Sequence, residues 1–248
     1  MNSKLLQQTY VSPAGRAVLV SGCDSGFGNL AARRLDAYGF TVFAGCLFPD
    51  SPAADTLRNS CKKLQIVKLD VTKRTDVDAV VNLISHSGLK LHAVVNNAGV
   101  AEYVPAEWGD DIEEYERMFA VNTFGVVRLT KACLPLLRKA RGRVVNLGSM
   151  CGRITFVGIT QYCMSKAAVR AFSDGLRREM YPFRVKVVLV EPMMYATNIM
   201  NTDNLFAQLD RAYATTAKEV KDDYGGDEFK ETFKRRLVII SLFIANDA

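Results

Sequence analysis

The sequence predicts an α/β fold, a doubly wound parallel sheet of the Rossmann type in a single domain. Three observations predict it. Short apolar runs alternate along the chain with stretches of helical spacing. The first run, Ala17-Val18-Leu19-Val20, opens into a glycine-rich turn over Ser21 to Gly28. No internal repeat, low-complexity tract or linker rich in Pro, Gly and Ser interrupts the 248 residues, a length that one α/β domain routinely fills.

Strands are expected near 17–20, 40–45, 65–69, 92–96, 143–148 and 185–190. Each is short and mostly apolar, as in a sheet covered on both faces. Between the first two strands, Leu30, Ala31, Arg34, Leu35 and Ala37 repeat with helical spacing. After the sixth strand, Leu205 to Tyr224 and Phe229 to Phe243 read as helices. The late run Leu237-Val238-Ile239-Ile240-Ser241-Leu242-Phe243-Ile244 is too short to span a bilayer. It is expected to pair as a substitute last strand, cover the sheet edge or dock on a partner, since no regular last strand is visible. Residues 1–15 read as an N-terminal extension and 16–248 as the domain.

Composition excludes several classes. Apolar residues make up 49%, enough for a sizeable core. The net charge of +6 comes from scattered residues without the interleaved aromatics of a nucleic-acid groove. Mild basicity suits an anionic substrate or a membrane headgroup surface, so peripheral membrane contact stays open. The six cysteines show no C-x-x-C and no metal-ligand spacing, and His86 and His92 are isolated, so no metal is expected. Buried thiols fit a reducing, intracellular setting. Met1 to Gly15 is polar, with neither an apolar signal or anchor segment nor an Arg-rich presequence.

Two motifs carry chemistry. Tyr162 has Lys166 four residues on, sharing a helix face, and Ser149 thirteen residues before it. A nearby ammonium favours phenolate, so Lys166 is expected to draw Tyr162 below its ordinary value of about 10. Tyr162 then suits general acid–base work, with the Ser149 hydroxyl free to hold a carbonyl oxygen. The turn Gly22-Cys23-Asp24-Ser25-Gly26-Phe27-Gly28 between strand and helix would place backbone N–H groups and a helix N-terminus against a pyrophosphate. Its spacing is G-x-x-x-G-x-G, not the commoner G-x-G-x-x-G.

Together these residues resemble the short-chain dehydrogenase/reductase family, over roughly residues 16 to 200. Asn96-Asn97-Ala98-Gly99 after a strand, Asp70-Val71 at another strand end, Asn122 in Val121-Asn122 and Val145-Asn146-Leu147-Gly148-Ser149 all fit its pattern. The resemblance implies a catalytic set of Ser149, Tyr162, Lys166 and Asn122, the last positioning a relay water. It implies cofactor contacts from Gly22, Ser25, Gly26, Phe27, Gly28, Cys46, Asp70, Val71, Asn97, Ala98, Gly99, Tyr162, Lys166, Pro192 and Thr197. It also places a variable substrate-pocket region from about residue 193. Further stretches, among them Val42 to Leu47, Glu179 to Pro182 and Lys221 to Gly225, resemble the branch holding retinol, hydroxysteroid and D-β-hydroxybutyrate dehydrogenases, and lean toward the last.

The cofactor expected is NAD, with NADP disfavoured. Cys23 and Asp24 occupy the turn and Cys46-Leu47-Phe48 follows the second strand, so no Arg or Lys is available for a 2′-phosphate. The activity implied is hydride transfer between a secondary alcohol, a short 3-hydroxy acid ahead of a retinoid or steroid, and the nicotinamide. Pro192-Met193 departs from the family's Pro-Gly, and a Cβ there would crowd the nicotinamide. A catalytically impaired NAD-binding member is therefore a third expectation. The partners expected are a small-molecule substrate and further copies of the chain. The compartment implied by resemblance is the mitochondrion, with the cytoplasm as the alternative.

Overall fold

A computed structural model describes residues 11–109, 112–193, 195 and 201–246, with side chains in the last helix as far as 239. Six strands, β1 (Arg16–Ser21), β2 (Thr41–Cys46), β3 (Leu64–Lys68), β4 (Lys90–Asn96), β5 (Arg143–Leu147) and β6 (Lys186–Val190), form one parallel sheet in the order β3-β2-β1-β4-β5-β6. The order reverses between β1 and β4, and open α/β sheets bind ligands outside the strand ends at such a switch point. All six strands expected from the apolar runs are present, within two residues at each end.

Alternation along β1 divides the core. Ala17 and Leu19 face α3 (Arg74–His86), α5 (Val126–Ala140) and α6 (Thr160–Met180), packing with Phe43, Val94, Val144, Ile84 and Leu137. Val18 and Val20 face α1 (Gly26–Ala37) and α2 (Pro52–Ser60) through Ala32 and Leu57. Burying a leucine or phenylalanine fully is worth about 1.5–3 kcal/mol, so both layers hold the sheet. Near β6 the cover thins. Val188 and Val190 are 38% and 42% exposed, and Val190 lines one surface cavity with the exposed Leu30 of α1.

Inside the first layer runs a polar chain. Asn96 Nδ2 donates to Thr130 Oγ1 at 2.8 Å and Asn146 Oδ1 at 2.7 Å, and Asn146 Nδ2 donates to Ser173 Oγ at 2.8 Å. All four residues are buried. The chain fastens β4 and β5 to α5 and α6, and α6 carries Tyr162 and Lys166.

The C-terminal region differs from one expectation. Leu237 to Ile244 lies within α9 (Gly226–Asn246), so it supplies no substitute strand. Phe233 and Leu237, four residues apart, share a face and bury against Leu205, Leu209 and Trp108. A helical stripe satisfies these side chains where a strand would split them across two faces. The stretch from Leu205 to Tyr224 is two helices, α7 (Thr202–Thr215) and α8 (Lys218–Asp223). Thr216 breaks them. Its backbone is extended, and its Oγ1 accepts from Gly109 N at 2.9 Å.

Candidate active site

The glycine turn closes on the Asn97-Ala98-Gly99 turn. Ser21 Oγ accepts from Asn97 N at 3.0 Å and Ala98 N at 3.1 Å, while Asn97 Nδ2 donates to Ser21 O and Gly22 O. Gly22 has φ +71, and a Cβ there would stand 2.8 Å from Ala98 Cα. At Gly28 a Cβ would meet Gly22 O at 2.2 Å. Glycine at both positions lets β1, α1 and the turn after β4 touch. Ser25 precedes the first turn of α1, and no side chain caps that helix start. Its free N–H groups face a cavity of about 560 Å³. The cavity, the switch point and the uncapped helix start fit a nicotinamide dinucleotide.

The far end of the cavity gathers the candidate chemistry. Ser149 Oγ accepts from Cys151 N at 3.1 Å, heading the 3₁₀ turn Met150–Gly152, and its hydroxyl is hydrogen-bonded to Tyr162. Lys166 Nζ lies 5.5 Å from the Tyr162 ring centre and donates to Leu147 O at 2.9 Å. Asn122 sits in a π-helical segment, Ala120–Gly125, between α4 (Glu113–Phe119) and α5. Its side chain exchanges hydrogen bonds with Val100 N and O at 2.8 Å and donates to Ser165 Oγ. A Cβ on Gly99 would lie 3.3 Å from Asn122 Oδ1 and 3.6 Å from Lys166 Nζ. Glycine leaves the space between those two groups open.

Electrostatics here correct one expectation. Burial pushes Tyr162 up to about 12, eased by the Ser149 hydrogen bond, and Lys166 does not draw it down. Burial also pulls Lys166 itself down to about 8. Desolvation outweighs the attraction because the ammonium sits over the ring and is turned to Leu147 O.

Several expected residues stand elsewhere. Gly22, Ser25, Gly26, Phe27, Asn97, Ala98, Gly99, Ser149, Tyr162, Lys166 and Pro192 line the cavity. Gly28 and Asn122 lie behind it, as support. Cys46 is fully buried in the core under α1 and α2, and the residues at that strand end that reach the cavity are Leu47 and Phe48. Asp70 and Val71 are not in its lining. Asp70 Oδ1 accepts from Thr72 N and Oγ1, and the buried Val71 side chain fills the space beside Gly125. Thr197 lies outside the described residues. Met193 lines the cavity, and the described non-glycine residues with positive φ are Arg141 and Arg184, so Met193 occupies its place without glycine's backbone.

The end of β2 holds a second correction. Register sets Lys68 of β3 beside Cys46, and Lys68 Nζ donates to Leu47 O, so a lysine does stand near this strand end. Asp24 is closer to the turn. Its carboxylate accepts from Leu47 N at 3.0 Å and Phe48 N at 2.9 Å.

Residues that motif reading missed complete the cavity. They include Val100, Ala101, Tyr103, Met150, Tyr195, Asn204 and Gln208. Tyr195 packs edge-on against Phe27 at 5.2 Å, bridging the loop after β6 to the glycine turn. Gln208 Nε2 donates to Ala101 O at 3.3 Å, and its buried Oε1 has no partner among the described residues. The reversed amide would set two carbonyl-type oxygens together, so Oε1 is the atom left as a free acceptor.

Comparison with known proteins agrees. The short chain dehydrogenase family model matches residues 16–207. Mitochondrial D-beta-hydroxybutyrate dehydrogenase of Rattus norvegicus is 40% identical over 241 residues, covering 91% of this chain and 69% of that protein. Retinol dehydrogenase 7 of Mus musculus is 42% identical over 210 residues, covering 84% and 65%. A crystallised short-chain dehydrogenase from Streptomyces avermitilis superposes with a TM-score of 0.68 at 34% identity, covering 74% and 68%. The chain belongs to the short-chain dehydrogenases, the family of nicotinamide-dependent oxidoreductases that act on CH–OH groups, in the branch of hydroxybutyrate, retinol and steroid dehydrogenases.

Proposed function

We propose that the protein is an NAD-dependent alcohol dehydrogenase whose substrate is an uncharged, lipid-type alcohol of the retinoid or steroid kind. One observation carries the substrate class. Among the described residues lining the cavity, Lys166 is the single cation, and it is turned to Leu147 O. Residues 192–207 contain no Arg, Lys or His at all. A carboxylate entering this space would lose its hydration without a cation to replace it, which costs several kcal/mol. A hydroxyl or an apolar chain meets Val100, Ala101, Tyr103, Met150 and the free Gln208 Oε1 instead.

When bound, the dinucleotide supplies the hydride acceptor. Backbone N–H groups of the Gly22–Gly28 turn, at the start of α1, would hold its pyrophosphate. Asn97, Ala98, Gly99 and Pro192 flank it, with Thr197 a further proposed contact. Ser149 Oγ and Tyr162 Oη hold the substrate oxygen, and Tyr162 Oη takes the alcohol proton. Lys166 would hold the nicotinamide ribose when the dinucleotide is bound. Asn122, its side chain spent on Val100 and Ser165, offers its main chain to the relay water. The Asp24 carboxylate, held on Leu47 N and Phe48 N at the end of β2, would repel a 2′-phosphate there and supports NAD, against the pull of Lys68.

Similarity to the rat hydroxybutyrate dehydrogenase over 91% of this chain favours a second substrate, a short 3-hydroxy acid. Its carboxylate would rest on neutral donors, Asn204 and Tyr103 among them. The mitochondrial name of that relative likewise supports a mitochondrial location over a cytoplasmic one. Residues 16–248 acting as one domain and assembly into a homo-oligomer complete the proposal, the latter supported by the exposed valines of β6. Light scattering reads the assembly, and a monomer at micromolar concentration contradicts it. NADH formation with a retinol, a hydroxysteroid and D-3-hydroxybutyrate reads the substrate, and turnover of the acid alone would overturn the lipid-type assignment.

A further inference from the structure

Two thiols stand together beside Ser149 and Tyr162 with no part in the chemistry above. Cys151 lies in the 3₁₀ turn that Ser149 heads, and Cys163 lies in the first turn of α6, next to Tyr162. They share one buried cluster with Ile159, against which Tyr162, Met150 and Tyr103 pack. Cys151 also lines the cavity, whereas Cys163 does not. Cys163 is 3% exposed and sits behind it, its thiol directed to Ile154 O at 3.8 Å.

We propose that Cys151 and Cys163 are a redox modification site, at which a small peroxide admitted through the cavity closes a disulfide that disables Ser149. The chemistry balances in two steps. Cys151 sulfur attacks a peroxide oxygen, the O–O bond breaks, and one water leaves a sulfenic acid on Cys151. Cys163 sulfur then attacks Cys151 sulfur, the S–OH bond breaks, and a second water departs with the Cys163 proton. Two thiols lose two electrons and two protons, and hydrogen peroxide is reduced to two waters.

Closing the bridge requires the two sulfurs of this cluster to approach to about 2.05 Å. The helix α6 is held by the Asn146–Ser173 bond and core packing, whereas Cys151 sits on a three-residue turn. The turn therefore moves. Ser149 Oγ is bonded to Cys151 N, so that movement reorients the hydroxyl that pairs with Tyr162. The glycine turn lies across the cavity and stays in place, so dinucleotide binding persists while turnover stops. Burial holds the Cys151 thiol above its ordinary value, so closure is slow at neutral pH and the pair resists casual oxidation.

The loss of turnover rests on the dehydrogenase activity proposed above, but bond formation does not, and intact mass measures it separately. Purified protein is treated with hydrogen peroxide, then digested without reduction. The expected result is a mass loss of about 2 Da, a peptide joining Cys151 to Cys163, unchanged NADH binding by fluorescence, and turnover lost until dithiothreitol restores it. Cys163→Ser and Cys151→Ser, each compared with its own untreated sample, should show no such peptide and no thiol-reversible loss. A bridge at Cys23–Cys46 instead, or full reversible inactivation in either variant, overturns the proposal. Formation of the 151–163 peptide in a protein inactive on every substrate would uphold the site and count against the proposed function alone.

Discussion

Tyr162 and Lys166 were legible as a pair from their spacing, but their electrostatics were not. Spacing gives proximity along a helix and says nothing of desolvation, which depends on Cys151, Cys163 and the sheet end packed around them. Replacing Tyr162 with Phe is expected to lower turnover by about 10²–10⁴-fold while leaving NADH binding unchanged, measured by steady-state kinetics beside fluorescence titration. Lys166 carries a pH signature. Folded, it titrates near 8 against its ordinary 10.5. Between those values the unfolded chain binds the extra proton, so stability rises with pH across the window and the burial penalty is full below 8. Lys166→Met should abolish that rise and add up to about 3 kcal/mol at pH 7. Denaturant unfolding at pH 7 and pH 10 reads it, and parallel curves for the two proteins would contradict it. At Asp24, replacement by Asn removes the charge and keeps an acceptor for one of the two N–H groups, Leu47 N or Phe48 N, that the carboxylate oxygens hold separately. The kcat/KM ratio for NADP over NAD should rise about tenfold, one favourable charge contact's worth. An unchanged ratio would assign the preference elsewhere.

The strands were the most legible elements, since buried parallel strands read as apolar runs whatever their partners. The polar chain Asn96–Asn146–Ser173 was invisible because its members lie 50 and 27 residues apart and meet only in the sheet. Asn146→Ala leaves Asn96 and Ser173 without a shared partner in a dry layer, so about 2–4 kcal/mol should be lost, read as a shifted urea midpoint. The C-terminal helices were half legible. Apolar content marked Leu237 to Ile244 as something to bury, but a run apolar at all but Ser241 has no period from which to choose helix or strand. Likewise Gln208 and Asn204 carry no motif, and only the return of α7 over the Ala101 loop brings them to the cavity. Gly28, read as part of a cofactor turn, also serves contact between backbones, which the motif did not reveal. Gly28→Ala should cost about 1–3 kcal/mol of stability and weaken NADH binding together, whereas loss of binding alone would make it a direct contact.

At the scale of the whole molecule, one sheet with two continuous core layers should unfold in a single cooperative transition, seen as coincident fluorescence and circular dichroism curves. Among the described residues no helix is long and apolar enough to cross a membrane. The family was legible from short motifs because most are fixed by a backbone turn at a strand end, and the Tyr162–Lys166 pair by spacing along α6. The substrate was not, because the cavity's far wall is assembled from α7, the Ala101 loop and the turn after Ser149. The central claim is that this cavity oxidises an uncharged alcohol with NAD, and NADH formation tests it most directly, with D-3-hydroxybutyrate beside all-trans-retinol and a 17β-hydroxysteroid, in wild type and Tyr162→Phe. Turnover of a lipid alcohol that vanishes in the variant is the predicted result. Turnover of the hydroxy acid alone, or equal rates in the variant, would contradict it.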